Sequence, residues 1–152
     1  MLYEVLPMAV TADILIAVAV HPPAASTPTS KIRTRNMNFS KFTDREFPIS
    51  ATEDIAIDAS VNEWSNYFKS GLRGALALLR KKRGDESFTP AGMDLLVDGT
   101  VPSGGGLSNS TVFVCASALA VMVASREKTV NRTELVELAV VSERAIGVNF
   151  RG

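Results

Sequence analysis

The chain has 152 residues, enough for one domain with a buried core. Its 46% apolar and 21% charged residues are ordinary for a soluble globular protein. The 16 basic and 16 acidic residues cancel, which removes any global electrostatic case for nucleic acid or an anionic membrane.

Val5 to Val10 and Ile14 to Val20 are rich in valine and isoleucine and are separated by Thr11-Ala12-Asp13. The pattern predicts two neighbouring strands, each buried on at least one face. No basic residue precedes them, and Glu4 and Asp13 interrupt the apolar run, so they read as core strands and not as a targeting segment. Nothing approaches the roughly 20 apolar residues of a spanning helix. His21, the one histidine, opens a Pro/Ser/Thr loop and reads as a solvated residue, with no carboxylate or cysteine neighbour for a metal. Ile32-Arg33-Thr34-Arg35-Asn36 alternates as a strand does, with a basic, solvated face. Phe47-Pro48-Ile49 and Ile55-Ala56-Ile57 give weaker strand signals.

Ser60-Val61-Asn62-Glu63 has the spacing of a capping box. Trp64, Phe68, Leu72, Ala75, Leu76 and Leu79 then recur at helical spacing as a core stripe. This helix is expected to end near Arg83, with Gly84 as its stop. Arg80-Lys81-Lys82-Arg83 falls in its last turn, where cations suit the negative end of the dipole, and reads as a solvated end. Met93, Leu95 and Val97 alternate with Asp94, Leu96 and Asp98, predicting a strand that runs into Val101-Pro102-Ser103-Gly104-Gly105-Gly106-Leu107-Ser108-Asn109-Ser110-Thr111-Val112.

Three glycines let the backbone adopt positive φ and come close to a ligand. An apolar helix, roughly Leu107 to Ser125, begins directly after them and reads as buried nearly all round. Its first N–H groups have no partner within the helix, and with the positive dipole end they form an anion site. Ser108, Ser110 and Thr111 supply hydroxyls for phosphate oxygens or a bound Mg²⁺. No lysine follows the glycines, so this is not a Walker A loop, and Asn109 stands where a dinucleotide fingerprint needs glycine. On residue chemistry alone, two readings stand: a phosphate cradle, or a βα turn that binds nothing. Cys115, the one cysteine, lies inside the apolar helix, excludes an intrachain disulfide, fits a reducing compartment and reads as a buried, inert thiol. Asn131-Arg132-Thr133-Glu134 starts a last helix, which is expected to be largely buried and to stop near Gly147. Glu143 falls on one of its apolar faces and there needs a cation: either an ion pair, with Arg126 for example, or a metal.

Pro102-x-Gly104-Gly105-Gly106-Leu107-Ser108-x-Ser110 resembles the phosphate-binding signature of the GHMP small-molecule kinases. Phe113 to Ala120 and Ser142 to Asn149 narrow the resemblance to galactokinases of the fungal kind, over about Leu2 to Asn149. The resemblance implies an α/β (α+β) fold: a mixed β-sheet with packed helices, like the GHMP kinase N-terminal domain and ribosomal S5 domain 2, with residues 1–152 forming a partial copy. It implies ATP and Mg²⁺ as cofactors and galactose as the sugar partner. Pro102, Gly104, Gly105, Gly106, Leu107, Ser108, Asn109 and Ser110 match the loop around the ATP phosphates; Ser110 and Glu143 match the Mg²⁺ ligands. Asn109 departs from the family's usual serine, and Thr111-Val112 replace small residues, which adds bulk at the helix start. The family continues past Asn149 with a segment carrying the proposed catalytic aspartate, where Phe150-Arg151-Gly152 does not match, so no catalytic residue is assigned. The sugar-binding segment that in the family precedes Leu2, and the C-terminal half, have no counterpart here. The expectation is a cytoplasmic galactokinase fragment, inactive alone, that pairs with a missing C-terminal half or a regulatory protein. The alternatives are a piece of a non-catalytic galactose and ATP sensor, or a non-functional truncated product.

Overall fold

The structure, a computed structural model, describes residues 11–21, 30–51, 53–61, 63–101 and 109–144, with side chains up to Ser142 in the last helix. Four strands, β1 (Ile14–Val20), β2 (Ser30–Asn36), β3 (Arg45–Ile49) and β4 (Met93–Gly99), form one sheet in the order β1-β4-β2-β3. β1 pairs antiparallel with β4, β2 antiparallel with β3, and β2 parallel with β4, so the sheet is mixed. The helices are α1 (Trp64–Arg83), α2 (Asn109–Ala124) and α3 (Arg132–Arg144).

Alternation decides which face of the sheet is covered. Ile32, Thr34, Ile49, Met93, Leu95 and Val97 are buried on one face, with Ile14, Ile16, Val18 and Phe47 packed beside them. The other face is a charged ladder. The Arg33 guanidinium forks onto Asp94, with Nε to Oδ1 and Nη2 to Oδ2 both at 2.7 Å. Lys31 pairs with Glu46 at 2.7 Å, and Arg35 with Asp44 at 2.8 Å. His21 Nε2 lies 3.1 Å from Asp94, off the line a hydrogen bond needs. The basic face of β2 is therefore ion-paired and not merely solvated. Pro48, which cannot donate to a ladder, sits on β3 at the edge of the sheet.

The stripe predicted for α1 is the centre of the core: Phe68, Leu72, Ala75, Leu76 and Leu79 are all buried. The capping box does not form. The Ser60 N–H and Oγ both bond Asp58 Oδ1, at 2.9 and 2.6 Å, and close a local turn. Glu63 is the N-cap residue and makes no side-chain cap. At the other end Gly84 takes φ 62°, its N–H reaches Lys81 O at 3.4 Å, and Asp85 N–H reaches Arg80 O at 3.2 Å, a Schellman stop. Three of the cations in that last turn are engaged. Arg80 Nε donates to Phe88 O at 3.1 Å, Arg83 lies 4.0 Å over the Phe88 ring and donates to Ser125 O at 2.6 Å, and Lys82 pairs with Glu134 at 2.8 Å.

Other expectations need correction. Ile55 to Ile57 is not a strand; the sheet edge is β3, and Ile55 packs on the core from a coil. α2 buries Phe113, Val114, Ser117, Ala118, Val121 and Met122, but Leu119 and Val123 are exposed, so it is not buried all round. α3 buries Ala139 and Ser142 and exposes Val136, Val140 and Val141, because only one side of it meets α1 and α2. Cys115 is half-buried, without a disulfide. The expected strand at Val5 to Val10 lies outside the described residues.

α2 also ends in a Schellman pattern: Arg126 N–H reaches Val123 O at 2.9 Å and Glu127 N–H reaches Met122 O at 3.0 Å, but the left-handed residue, φ 60°, is Arg126 and not glycine. That conformation costs an L-residue about 1–2 kcal/mol, partly offset in an Arg126→Gly variant by the freer unfolded chain. Arg126→Gly is expected to raise unfolding stability by roughly 0.5–1 kcal/mol in urea titration; a loss would contradict the geometry. Arg33, with His21 beside it, holds the Asp94 carboxyl below its usual range. The ionised form therefore adds stability at neutral pH, and this contribution disappears as pH falls through the depressed folded-state value, below about pH 4. Asp94→Asn should melt below wild type at neutral pH and converge with it in acid; thermal melts at stepped pH read this, and parallel curves would contradict it.

Candidate phosphate and metal site

β4 delivers the chain through Thr100 to Val101, and α2 starts at Asn109. The two flanks of the intervening loop meet, with Asn109 Nδ2 donating a long hydrogen bond, 3.4 Å, to Val101 O. The Thr100 N–H bonds Asp13 O at 3.0 Å, tying the exit of β4 to the segment before β1. Pro102, Gly104, Gly105, Gly106, Leu107 and Ser108 lie outside the described residues; Asn109 and Ser110 form the start of α2. The first turn of α2 holds no acidic residue. The positive end of its dipole therefore has no carboxylate of its own turn to compensate it.

Glu143 is placed by its backbone in the last turn of α3. Where that turn lies relative to α2 follows from helix packing. Gly71 of α1 sits against α2 so closely that a Cβ there would lie 2.5 Å from Val114 O and 2.8 Å from Ser117 Cβ. Gly74 does the same against α3, where a Cβ would meet Ser142 Oγ at 2.5 Å and Leu138 Cδ2 at 2.6 Å. Buried Ser70 Oγ donates to Ser142 O at 2.6 Å. At the far end Arg83 reaches Ser125 and Lys82 reaches Glu134. α1 thus runs parallel to α2 and antiparallel to α3, so α2 and α3 are mutually antiparallel. Val114 and Ala139 share a buried contact, with Tyr67 and Cys115 against it. Ser110 is four residues back from Val114 and Glu143 four residues on from Ala139, each step roughly 6 Å along its axis. In antiparallel helices both steps go the same way. The two predicted metal-binding positions therefore share one end of the helix layer, the end at which β4 hands over to α2.

A group that sequence reasoning had assigned wholly to the core also lies here. Trp64 stacks on Phe113, just after the first turn of α2, with centroids 6.1 Å apart and planes at 24°. Its indole N–H donates to Thr43 O at 3.0 Å, and Phe42 meets its ring edge-on at 5.9 Å. Arg45 Nε donates to Glu63 Oε1, which also accepts from Ser65 Oγ at 3.0 Å. Burial pushes the Glu63 carboxyl up, but those hydrogen bonds and the charges of Arg45 and Lys69 outweigh it and leave the group below its ordinary range. Only the run of aromatics in sequence hinted at this cluster. Among the described residues no three His, Cys, Asp or Glu side chains group as a metal site, and no helix is long and apolar enough to cross a membrane.

A mixed sheet with packed helices, whose central strand leads through the glycine-rich stretch to a helix, is an α/β architecture. Residues 66–151 match the GHMP kinases N terminal domain, more than half of the chain, and the chain belongs to that family. Within it the chain is similar to the galactokinases of Candida parapsilosis (36% identical over 151 residues), Candida albicans (37% over 151) and Saccharomyces cerevisiae (38% over 156). Each comparison spans 99% of this chain and 28% of the relative, so the chain covers less than a third of their length. Lactococcus lactis galactokinase, solved in complex with galactose, superposes with a TM-score of 0.67 at 26% identity, over 91% of this chain and 31% of that one. Methanococcus jannaschii mevalonate kinase shares the fold, with a TM-score of 0.63 at 16% identity, over 88% and 37%. The α/β fold and family expected from the loop motif are both found.

Replacing Gly71 tests the packing that sets this register. Alanine gains about 1 kcal/mol of helix propensity. Against that, its methyl group would meet a backbone carbonyl, which cannot swing away, and overpacking of this kind costs about 1–3 kcal/mol. Gly71→Ala is expected to lower the urea midpoint; a stabilised variant would show that α1 and α2 do not meet there.

Proposed function

We propose that the junction of β4 and α2 binds the phosphates of ATP, and that Ser110 and Glu143 hold the accompanying Mg²⁺. The observation that carries this reading is the shared position of Ser110 and Glu143, one turn beyond the Val114–Ala139 contact. Pro102, Gly104, Gly105, Gly106, Leu107, Ser108 and Asn109 would surround the phosphates, with the amide donors of the first turn of α2 beneath them. The donor set suits the ion: a hydroxyl and a carboxylate are hard oxygen ligands, and Mg²⁺ takes one or two such protein groups beside phosphate oxygens. Bound there, Mg²⁺ would neutralise phosphate charge during transfer. The chain's own part is to orient the triphosphate. α2 is anchored by its buried side, its N-terminus is held by Asn109, and no carboxylate of its first turn repels the anion.

For a protein of its relatives' length carrying this chain we propose galactokinase activity: transfer of the γ-phosphoryl group of ATP to the C1 hydroxyl of galactose, in the cytoplasm. Such a transfer depends mainly on positioning and charge neutralisation, and this chain carries residues for both. Its similarity to galactokinases along 99% of its length supports that assignment.

Calorimetric titration tests the site, with the fluorescence of Trp64, the one tryptophan, as a second readout. Wild type is expected to bind MgATP. Loss of one charged ligand or hydrogen bond is worth about 1.5–3 kcal/mol, so Glu143→Ala and Ser110→Ala should each bind on the order of tenfold or more weakly. Chelating Mg²⁺ should erase most of the difference between Glu143→Ala and wild type. Equal affinity of Glu143→Ala and wild type for MgATP would remove Glu143 from the metal site.

A further inference from the structure

The phosphate and metal reading makes no use of the contacts at the start of α1. Glu63 is the N-cap residue, extended at φ −115° and ψ 135°, where an acidic side chain would ordinarily bond the helix's own N–H groups. It makes no such cap. Its carboxylate instead accepts from Arg45, the first residue of β3, and from buried Ser65. The next residue, Trp64, is held on two sides: its N–H on Thr43 O, its edge against Phe42. Its face lies on Phe113, which is buried just after the first turn of α2, three residues beyond Ser110. The 37–44 loop between β2 and β3 is otherwise strongly exposed, with Phe39 at 81%. It therefore meets the helix layer where Arg45, Glu63 and Trp64 meet. A change in that contact reaches the α2 start through one stacked ring pair.

We propose that Arg45 and Glu63 are positioning residues: their ion pair fastens the 37–44 loop to the start of α1, keeps Trp64 flat on Phe113, and so sets the first turn of α2 for MgATP. This rests on the MgATP reading of that turn. A side-chain pair spends its energy here on orientation, not on capping, and its effect belongs to ligand affinity more than to global stability. The pair is partly exposed, 40% for the Arg45 side chain and 27% for Glu63. That sets the size of the effect at about fivefold in affinity, the upper end for such a pair.

The test uses the whole chain with Glu63→Gln, Arg45→Lys and the exchanged pair Arg45→Glu with Glu63→Arg. Arg45→Lys keeps the charge and loses the planar fork, and serves if Glu63→Gln folds poorly. MgATP affinity by calorimetry, the near-ultraviolet dichroism of Trp64, and amide hydrogen exchange of residues 109–113 are measured on each. Weaker MgATP binding by about fivefold in the single variants, a changed Trp64 band, and recovery of both in the exchanged pair are the expected results. Unchanged MgATP affinity beside a changed Trp64 band would overturn the proposal. Should wild type itself fail to bind MgATP, the phosphate-site reading falls separately. The exchange data then decide the positioning role: faster exchange at 109–113 in Glu63→Gln upholds it, and unaltered exchange overturns it.

Discussion

The close approach of α1 to α2 at Gly71 is the constraint on which the rest of the structure depends. There the Gly71 backbone lies directly against Val114 O and Ser117 Cβ, with no side chain of its own to hold the helices apart. Gly74 lies as close to the Ser142 and Leu138 side chains of α3, and Ser70 Oγ donates to Ser142 O. Tight contacts of this kind leave little freedom to slide, because a shift by one residue would bring a Cβ into a carbonyl oxygen. The register of three helices is thereby fixed at their middles, and their ends must follow. At one end Lys82 ties α1 to Glu134 at the start of α3, and Arg83 ties it to Ser125 just after α2. At the other end the start of α2 and the close of α3 come together.

The sheet contributes direction. Its one covered face presses on the helices, and its other face is neutralised by the Arg33–Asp94 fork and the pairs beside it. β4 lies between β1 and β2, hydrogen-bonded on both sides, so its exit at Gly99 and Thr100 is well anchored. The triphosphate site proposed here would gain from such rigid flanks. In sequence, three successive glycines stand between this well-anchored strand and a helix anchored along its inner side.

Much of this was legible in the residues. The α1 stripe, the alternation of β4 and the stop at Gly84 each follow from a local rule, and each formed as read. The glycine-rich turn named the family, because its spacing is specific. Local rules failed where a tertiary partner outbid them. Ser60 had the spacing of a cap, but the Asp58 carboxylate two residues away captured its hydroxyl. Arg33 and Arg35 looked solvated because Asp94 and Asp44 are distant in sequence or hidden in a loop. The apolar sequence of α2 suggested burial on every side, yet a helix lying on one sheet meets neighbours on only part of its circumference. Trp64 reads as core and does pack against it, but its stacking on Phe113 depends on the α1–α2 register, which no periodicity reveals. The antiparallel pairing that brings Ser110 and Glu143 to one end was likewise implied only by family likeness.

The central claim is that the two helix ends act on one bound metal-nucleotide. It is tested most directly by adding ATP with Mn²⁺, a paramagnetic stand-in for Mg²⁺, to isotopically labelled protein and following amide relaxation. The account predicts selective broadening of residues at the start of α2, around Ser110, together with those at the end of α3, around Glu143, while the Lys82–Arg83 end stays sharp. Broadening of the α2 start alone, or broadening centred on the opposite end of the helices, would contradict it.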